Sequence, residues 1–203
     1  MEELRPGLWT WTADHPDWTP EQGGPEGWDR EVRSYAFDNG AAMVLVDPLQ
    51  PPDELLAHAR AHRTIEVVLT VADHERSTRL LADEGAVIYA PFHALPHLEV
   101  AAYLVAVEDR LPDGVDVMTG FYPNEVTYWL PRHGALVVGD ILLGGGEHGV
   151  RIPPESWFAP GVTAADIKQG LAPLLELPIE LLLPTHGDPV VEDGAARLAE
   201  ALR

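Results

Sequence analysis

Residues 67–78, VVLTVADHERST, place a carboxylate and an imidazole directly after an apolar run. The run IEVVLT (65–70) is short and contains several β-branched residues, so it predicts a buried strand. Asp73 and His74 follow it, and the next residues begin a helical pattern that ends at Gly85. Ligand-binding residues often lie at strand ends in α/β proteins. The pair therefore indicates a binding site at a strand end or, for the aspartate alone, the N-cap of the next helix.

Three further strand-like runs end in polar residues of the same kind. LVDPL reaches Asp47, LVVGD ends at Asp140, and LLLPTHGDP carries His186 just after its apolar part. Each is unremarkable alone, because Gly-Asp commonly closes a strand in a turn and a loop histidine is often only hydrogen-bonded. Aspartates and histidines at several strand ends together predict a shared binding site.

The order of patterns along the chain predicts the fold class. Strand-like runs dominate first, a βαβα stretch follows, and the same succession then repeats, which predicts two sheets between helices in a single α/β domain of residues 1–203. Asn39-Gly40, between VRSYAF and AAMVLVD, predicts a β-hairpin. HLEVAAYLVAVEDRL (97–111) is interpreted as a helix, although its β-branched residues favour that state less. TAADIKQGLAPLLEL is expected to be a helix that begins at Thr163.

An irregular segment near the N-terminus, residues 13–30, is rich in tryptophan, proline and glycine. A long loop inside a domain is usually functional or disordered, and tryptophans argue against disorder. The simpler interpretation is that Trp18 and its neighbours cover an edge of the core. The functional interpretation is a lid that gives a pocket an apolar wall.

Composition narrows the class of partner. The 33 acidic and 13 basic residues give a formal charge of −20, which disfavours nucleic acid and anionic membranes and favours small or neutral molecules as substrates. The absence of cysteine excludes disulfides and thiolate ligands. The acidic, proline-interrupted N-terminus does not resemble a signal peptide, and no apolar run is long enough to cross a bilayer, so a cytoplasmic location is expected.

From Asp47 onward the chain resembles the metallo-β-lactamase superfamily. In that family a strand ends in Asp, and the motif His-x-His-x-Asp-His follows at a second strand end. A turn histidine, a Gly-Asp and a final His-Gly complete the set. The corresponding positions here are Asp47, the stretch 69–74, Phe121, Asp140 and His186. The resemblance implies an αββα four-layer sandwich of the α/β (α+β) class.

The departures from the family pattern fall on one of its two metal sites. The three histidines of the first site are replaced by Leu69, Val71 and Phe121, which suggests that packed side chains fill that site. The residues that serve the second site are all present: Asp73, His74, Asp140 and His186. Imidazole and carboxylate ligands suit one divalent ion, zinc first, with manganese or iron as alternatives.

The resemblance implies a mononuclear hydrolase that uses a metal-bound water on a small ester, lactone, thioester or amide. Asp73 and Asp140 would be ligands or would orient that water, as the catalytic residues. Asp47 is expected to hydrogen-bond behind the ligands without a catalytic role. The residues that could line the pocket are His15, Trp18, His93, His97 and His148.

Two other functions stay open. The first is a non-catalytic module that has kept the fold, lost the metal, and binds a small ligand or a protein partner under the tryptophan-rich loop. The second is redox chemistry at a single iron, which ranks third because it usually draws on the first-site histidines.

Overall fold

The structure is a computed structural model that describes residues 1–24, 27–100, 104–118, 124–145 and 149–203. Phe121 and His148 lie outside these ranges. A seven-stranded sheet takes up the N-terminal half, with strand order β1 to β7. Its strands and helices, in chain order, are β1 (Glu2–Arg5), β2 (Leu8–Asp14), β3 (Glu31–Asp38), β4 (Ala42–Val46), α1 (Asp53–His62), β5 (Thr64–Val68), α2 (Thr78–Asp83), β6 (Val87–Ala90) and β7 (Leu104–Ala106).

The C-terminal half contains a second sheet of four strands. Its elements, in chain order, are β8 (Asp116–Met118), β9 (Thr127–Leu130), β10 (Ala135–Val138), β11 (Leu143–Gly144), β12 (Val150–Arg151), α3 (Ala164–Leu171), β13 (Leu181–Pro184) and α4 (Gly194–Ala201). The strand order is β13-β10-β9-β8, and β11 pairs with β12 as a separate ribbon. In the first sheet β1 to β4 are antiparallel and β4 to β7 are parallel, whereas in the second only β10 and β13 are parallel.

Both sheets are buried on both faces, as β4 illustrates. Its residues Ala42, Val44 and Val46 belong to a cluster that contains side chains of both sheets, while Met43 and Leu45 face a cluster that includes α1 and α2. This follows from the alternation of side chains along a strand. A third cluster joins the outer face of the second sheet to α3 and α4. Three apolar clusters of this kind are what an αββα sandwich requires, and the predicted fold class is confirmed.

The polar strand ends predicted from the sequence lie at one edge. Parallel strands β4 and β5 end before Asp47 and Leu69, and parallel strands β10 and β13 end before Gly139 and Thr185. Two buried tyrosines of the inter-sheet core fix these ends: Tyr35 Oη donates to Pro184 O and Tyr128 Oη to Leu69 O, both at 2.6 Å. The carboxyl ends of both sheets therefore meet in one place.

Most of the predicted elements are confirmed, with one correction. The hairpin around Asn39 is present as antiparallel β3 and β4, and α3 begins after Thr163, whose hydroxyl accepts from Asp166 N. The predicted helix over 97–111 is wrong, because the described part of it contains β7, which pairs in parallel with β6. The β-branched residues of that stretch fit a strand better than a helix. No described helix has the length and apolar character needed to span a membrane.

Candidate metal centre

His74, Asp140 and His186 converge at the shared edge of the two sheets. Nε2 of His74 lies 3.3 Å from Oδ1 of Asp140, and Nε2 of His186 lies 3.2 Å from the same oxygen. One nitrogen or oxygen atom from each of the three side chains lies within 4.8 Å of the others. Two imidazole nitrogens thus point at one carboxylate oxygen from opposite halves of the chain.

These distances fit ligands around a common ion better than hydrogen bonds. A charged N–H···O hydrogen bond is about 2.7–2.9 Å long. In a tetrahedron with metal–ligand bonds of about 2.0–2.1 Å, neighbouring ligand atoms are about 3.3 Å apart. Oδ1 of Asp140 is also buried without a hydrogen bond of acceptable geometry from any described donor. The three side chains therefore fit a divalent cation.

His74 is held from behind by a carboxylate. The side chain is buried, and its Nδ1 lies 2.9 Å from Oδ2 of Asp47. The same Oδ2 accepts from Thr70 Oγ1 at 2.6 Å, and Oδ1 accepts from Thr70 N at 2.9 Å. An ionised carboxylate only accepts, so Nδ1 of His74 donates and Nε2 is turned to Asp140. Asp47 thus has the hydrogen-bonding contacts expected of it.

His186 is held by ring contacts instead. It is nine-tenths buried, and its Nδ1 has no hydrogen-bond partner among the described residues. Trp28 packs edge-on against its ring with centroids 5.3 Å apart, and Trp157 does the same at 5.9 Å. The ring is therefore oriented by aromatic packing, whereas His74 is oriented by a hydrogen bond.

The carboxylates and imidazoles of this region shift the pKa of His74, Asp140 and His186. Burial and Arg76 lower the pKa of His74, but the carboxylates of Asp140 and Asp47 outweigh them and raise it to about 9. Burial opposes ionisation of Asp140, yet His74 and His186 hold its pKa well below its usual range. Burial lowers the pKa of His186. A cation bound by Nε2 of His74 would displace the proton of that nitrogen, while Nδ1 keeps the proton that it donates to Asp47.

Asp140 is placed by Glu125, a residue that the sequence analysis missed. The buried Glu125 carboxylate accepts from the backbone N–H groups of Gly139, Asp140 and Ile141 at 3.0, 2.9 and 3.2 Å. Burial and the neighbouring Asp140 raise its pKa to about 8. Glu125 opens the run EVTYWL, and nothing in the sequence shows that its side chain faces the turn after β10.

Asp73 lies beside the cluster but outside it. It is exposed, in a single 3-10 turn at Ala72–His74, and it does not belong to the group of three ligand atoms within 4.8 Å. It lines both cavities to which Asp140 contributes. Its role as a metal ligand stays a prediction, and its position suits contact with a substrate or a water molecule.

The positions of the missing first-site histidines are partly packed. Leu69 is fully buried within the apolar cluster under α1 and α2. Val71 is half-buried and lines a cavity of about 260 Å³ next to Asp140. Leu69 has thus become part of the core, as the sequence suggested for this site.

A cavity of about 450 Å³ opens over the cluster. Trp28 forms one wall and Trp157 another, and the ring of His15 packs edge-on against Trp28 with centroids 5.2 Å apart. Trp18 does not line this cavity, and its Nε1 donates to Trp28 O at 3.0 Å. The tryptophan-rich loop therefore covers the site through Trp28, which Trp18 supports.

The other histidines predicted to line a pocket lie elsewhere. His97 is exposed, at the end of a 3-10 turn that follows β6, and His93 lies just before that turn. Neither lines the cavity over the cluster, whereas His15 does.

Arg76 is a second residue that the sequence analysis missed. It lies two residues after His74 with a positive φ of 44° and lines the cavity over the cluster. Its Nη1 donates to Arg33 O at 3.2 Å and to Asp47 O at 3.0 Å. Its charge lowers the pKa of His74 and of His186. The sequence does show that Arg76 lies two residues after the Asp73-His74 pair. It does not show that the Arg76 side chain points into the cavity.

Solved structures share this fold at low sequence identity. The DIM-1 metallo-β-lactamase is 15% identical, with a TM-score of 0.69 over 99% of this chain and 94% of that chain. FIM-1 from Pseudomonas aeruginosa in its mono-zinc form is 16% identical, with a TM-score of 0.64 over 97% and 92%. TTHA1623 in a di-iron-bound form is 22% identical, with a TM-score of 0.62 over 91% and 98%. No protein-family model and no curated protein matches the sequence. The chain has the metallo-β-lactamase fold.

Proposed function

We propose that this chain is a metal-dependent hydrolase with one divalent ion, which acts on a small ester, lactone, thioester or amide. The observation that carries the proposal is the approach of two imidazole nitrogens to one carboxylate oxygen, at 3.2 and 3.3 Å, at the meeting point of the two sheets. The fold supports it, because FIM-1 is described in a mono-zinc form and TTHA1623 in a di-iron-bound form.

The residues that would hold the ion are His74, Asp140 and His186. Two imidazoles and a carboxylate suit zinc, with manganese and iron as alternatives. When bound, such an ion polarises a carbonyl group and makes nearby water more acidic. A single ion is proposed because Leu69 occupies one first-site position inside the core.

The surrounding residues orient this donor set and handle protons. Asp47 keeps the proton of His74 on Nδ1, so that Nε2 faces the ion. Glu125 fixes the backbone of residues 139–141 and thereby the direction of the Asp140 side chain. Asp73 is the exposed carboxylate that lines both neighbouring cavities, which supports a role in accepting a proton from the water that attacks the substrate.

The substrate is proposed to be a small molecule. A cavity of about 450 Å³ matches the size of small-molecule sites. The formal charge of −20 disfavours polyanions such as nucleic acids.

A metal-free binding module is the second candidate. The burial of Leu69 favours it, because that replacement removes a ligand position. Under this candidate the two tryptophan walls of the cavity bind a ligand without chemistry. It differs from the hydrolase in one measurable respect, since its ligand binding would not depend on a transition metal.

The proposal is tested by hydrolysis assays on a panel of aryl esters, lactones, thioesters and amides, with the protein loaded with zinc, manganese or iron. We expect turnover of at least one class, abolished by chelator and by His186→Ala and retained in His97→Ala. His97 is the matched control, because it is an exposed histidine remote from the cavity. Asp73→Asn should lower kcat, and the metal content of that variant shows whether Asp73 is also a ligand. Turnover that is unaffected by chelator would contradict the proposal.

A further inference from the structure

Arg76 is held in a conformation that an arginine rarely adopts. Its φ of 44° lies in the left-handed region, where glycine is the favoured residue. Such strained positions gather at functional sites when surrounding contacts enforce them. Here two hydrogen bonds from Nη1, to Arg33 O and Asp47 O, fix the guanidinium against the back of the cluster. The positive φ of Arg76 and these two hydrogen bonds together keep its positive charge at the wall of the cavity.

The guanidinium keeps donor capacity that the protein does not use. Both of its hydrogen bonds to described residues come from Nη1, so Nη2 keeps its donors for a ligand. Nε also lacks a partner among the described residues, but it is buried and out of reach of a ligand in the cavity. Arg76 lines the same cavity as His74, Asp140 and His186.

The charges of the cavity select the class of anion. Asp73 and Asp140 line it together with Arg76, so a dianion such as phosphate would meet two carboxylates. A monoanionic carboxylate fits better, because it brings one negative charge rather than two and accepts a charge-assisted hydrogen bond from the guanidinium. In a chain with a formal charge of −20, a local cation is needed to attract any anion.

A second cavity adjoins the first. It has a volume of about 260 Å³ and shares Asp73, Asp140 and Trp157 with the larger one. Apolar side chains make up much of its wall, namely Val71, Ile141, Pro153, Phe158 and Ile167. A ligand that occupies both cavities therefore meets the Arg76 cation in the larger one and apolar side chains in the smaller one.

We propose that Arg76 binds the carboxylate of the substrate, which is a small monoanion with an apolar group on the far side of the bond that is cleaved. The part of this statement that concerns cleavage rests on the proposed function, whereas carboxylate binding by Arg76 does not. The binding is therefore tested without turnover.

The test uses 4-phenylbutyrate and the neutral methyl ketone of the same chain, 5-phenylpentan-2-one, as probes in isothermal titration calorimetry. Neither probe contains a bond that a hydrolase cleaves, and the ketone replaces the charged carboxylate by a neutral carbonyl group. The full chain is titrated as purified and again after removal of metal by a chelator. We expect the carboxylate to bind at least about tenfold more tightly than the ketone in both states, in line with a charge-assisted hydrogen bond.

Arg76→Gly should abolish that preference. Glycine tolerates the φ of residue 76, so this variant removes the guanidinium while it relieves the backbone. Arg76→Lys should keep a reduced preference, because it keeps the charge and loses the planar guanidinium that the two backbone oxygens hold in place. Arg79→Gln is the matched control: it changes the net charge equally at an exposed side chain near Glu99, and should leave the preference intact.

Equal binding of the two probes by the wild-type protein would overturn the inference. A carboxylate preference that survives in Arg76→Gly would overturn it as well. So would a preference that every variant loses after chelator treatment, because the metal would then be the group that binds the carboxylate. The metal content of the same samples tests the proposed function separately. A chain without metal that still shows the Arg76-dependent preference would contradict the hydrolase and support the inference.

Discussion

Asp47, directly after β4, and His74, in the 3-10 turn that follows β5, are joined by a hydrogen bond of 2.9 Å between Oδ2 and Nδ1. Thr70 adds two further donors to the same carboxylate. Asp47 adopts a positive φ of 46°, so the backbone is strained where this carboxylate turns inward. The contact fixes which nitrogen of His74 faces Asp140, and with it the geometry of the whole cluster.

Asp47→Asn should weaken metal binding about 10–100-fold, the usual effect of losing a carboxylate behind a metal-bound histidine. The NH₂ group of the asparagine would face groups that are themselves donors, namely those of Thr70 and His74 Nδ1. His74 would therefore lose its fixed orientation. Competition with a chromophoric chelator measures the affinity. Thr70→Ser is the control, because it keeps the hydroxyl that contacts Asp47. Wild-type affinity in Asp47→Asn would show that the contact does not orient the ligand.

Glu125→Gln should lower both metal affinity and the free energy of unfolding, the latter by about 1–3 kcal/mol. The carboxylate accepts three backbone N–H groups, and the amide of glutamine would face one of them with a second donor. Urea unfolding and the chelator competition measure the two effects. Glu108→Gln makes the same change at an exposed carboxylate that accepts from Phe92 N and should have little effect on either. Equal stability of the two variants would refute the role given to Glu125.

Leu69→His should lower the free energy of unfolding by at least about 2 kcal/mol, because it replaces a fully packed side chain with a polar one inside the core. Val71→His, at a half-buried position on a cavity wall, should cost less than about 1 kcal/mol. Chemical denaturation compares them. Neither should bind a second ion alone. A stable Leu69→His variant that takes up two ions would mean that the first site is open rather than filled.

Tyr35→Phe should destabilise the protein by about 1–3 kcal/mol, because it leaves Pro184 O buried without its donor. Burial also raises the pKa of Tyr35 above its usual value. Above pH about 10 the unfolded chain loses this proton while the native chain keeps it, so stability falls as pH rises. Urea unfolding at pH 8 and pH 10.5 should show a smaller loss in Tyr35→Phe than in wild type. An equal loss would mean that Tyr35 ionises normally in the native state.

The sequence predicted the elements whose local pattern agrees with their tertiary setting. β4, β10 and β13 are continuous apolar runs because both faces are buried, and α3 carries its own cap at Thr163. The helix predicted over 97–111 was wrong for the opposite reason. Its pattern fits a helix locally, but β7 in its described part pairs with the edge of β6, and that pairing is a long-range property.

At the site, the sequence predicted the residues that belong to recognisable motifs. It missed the residues whose role depends on the direction in which a side chain points. His74, Asp140 and His186 were recognised from their places at strand ends and from the resemblance to metallo-β-lactamase motifs, and the structure brings these three together. Glu125 and Arg76 were missed, because their roles depend on where a buried side chain points. Trp28 was recognised only as a member of the loop, and its contact with His186 depends on how that loop folds back.

The metal content of the purified protein tests most directly whether His74, Asp140 and His186 hold one metal ion. The untagged protein is purified without chelator, incubated with zinc, manganese or iron, desalted, and analysed by inductively coupled plasma mass spectrometry, with circular dichroism as the check of folding. We predict about one ion per chain in the wild type and in His97→Ala, and none in a folded His186→Ala variant. A wild-type protein without metal after incubation would contradict the proposed metal site. A His186→Ala variant with the same metal content as the wild type would contradict it as well.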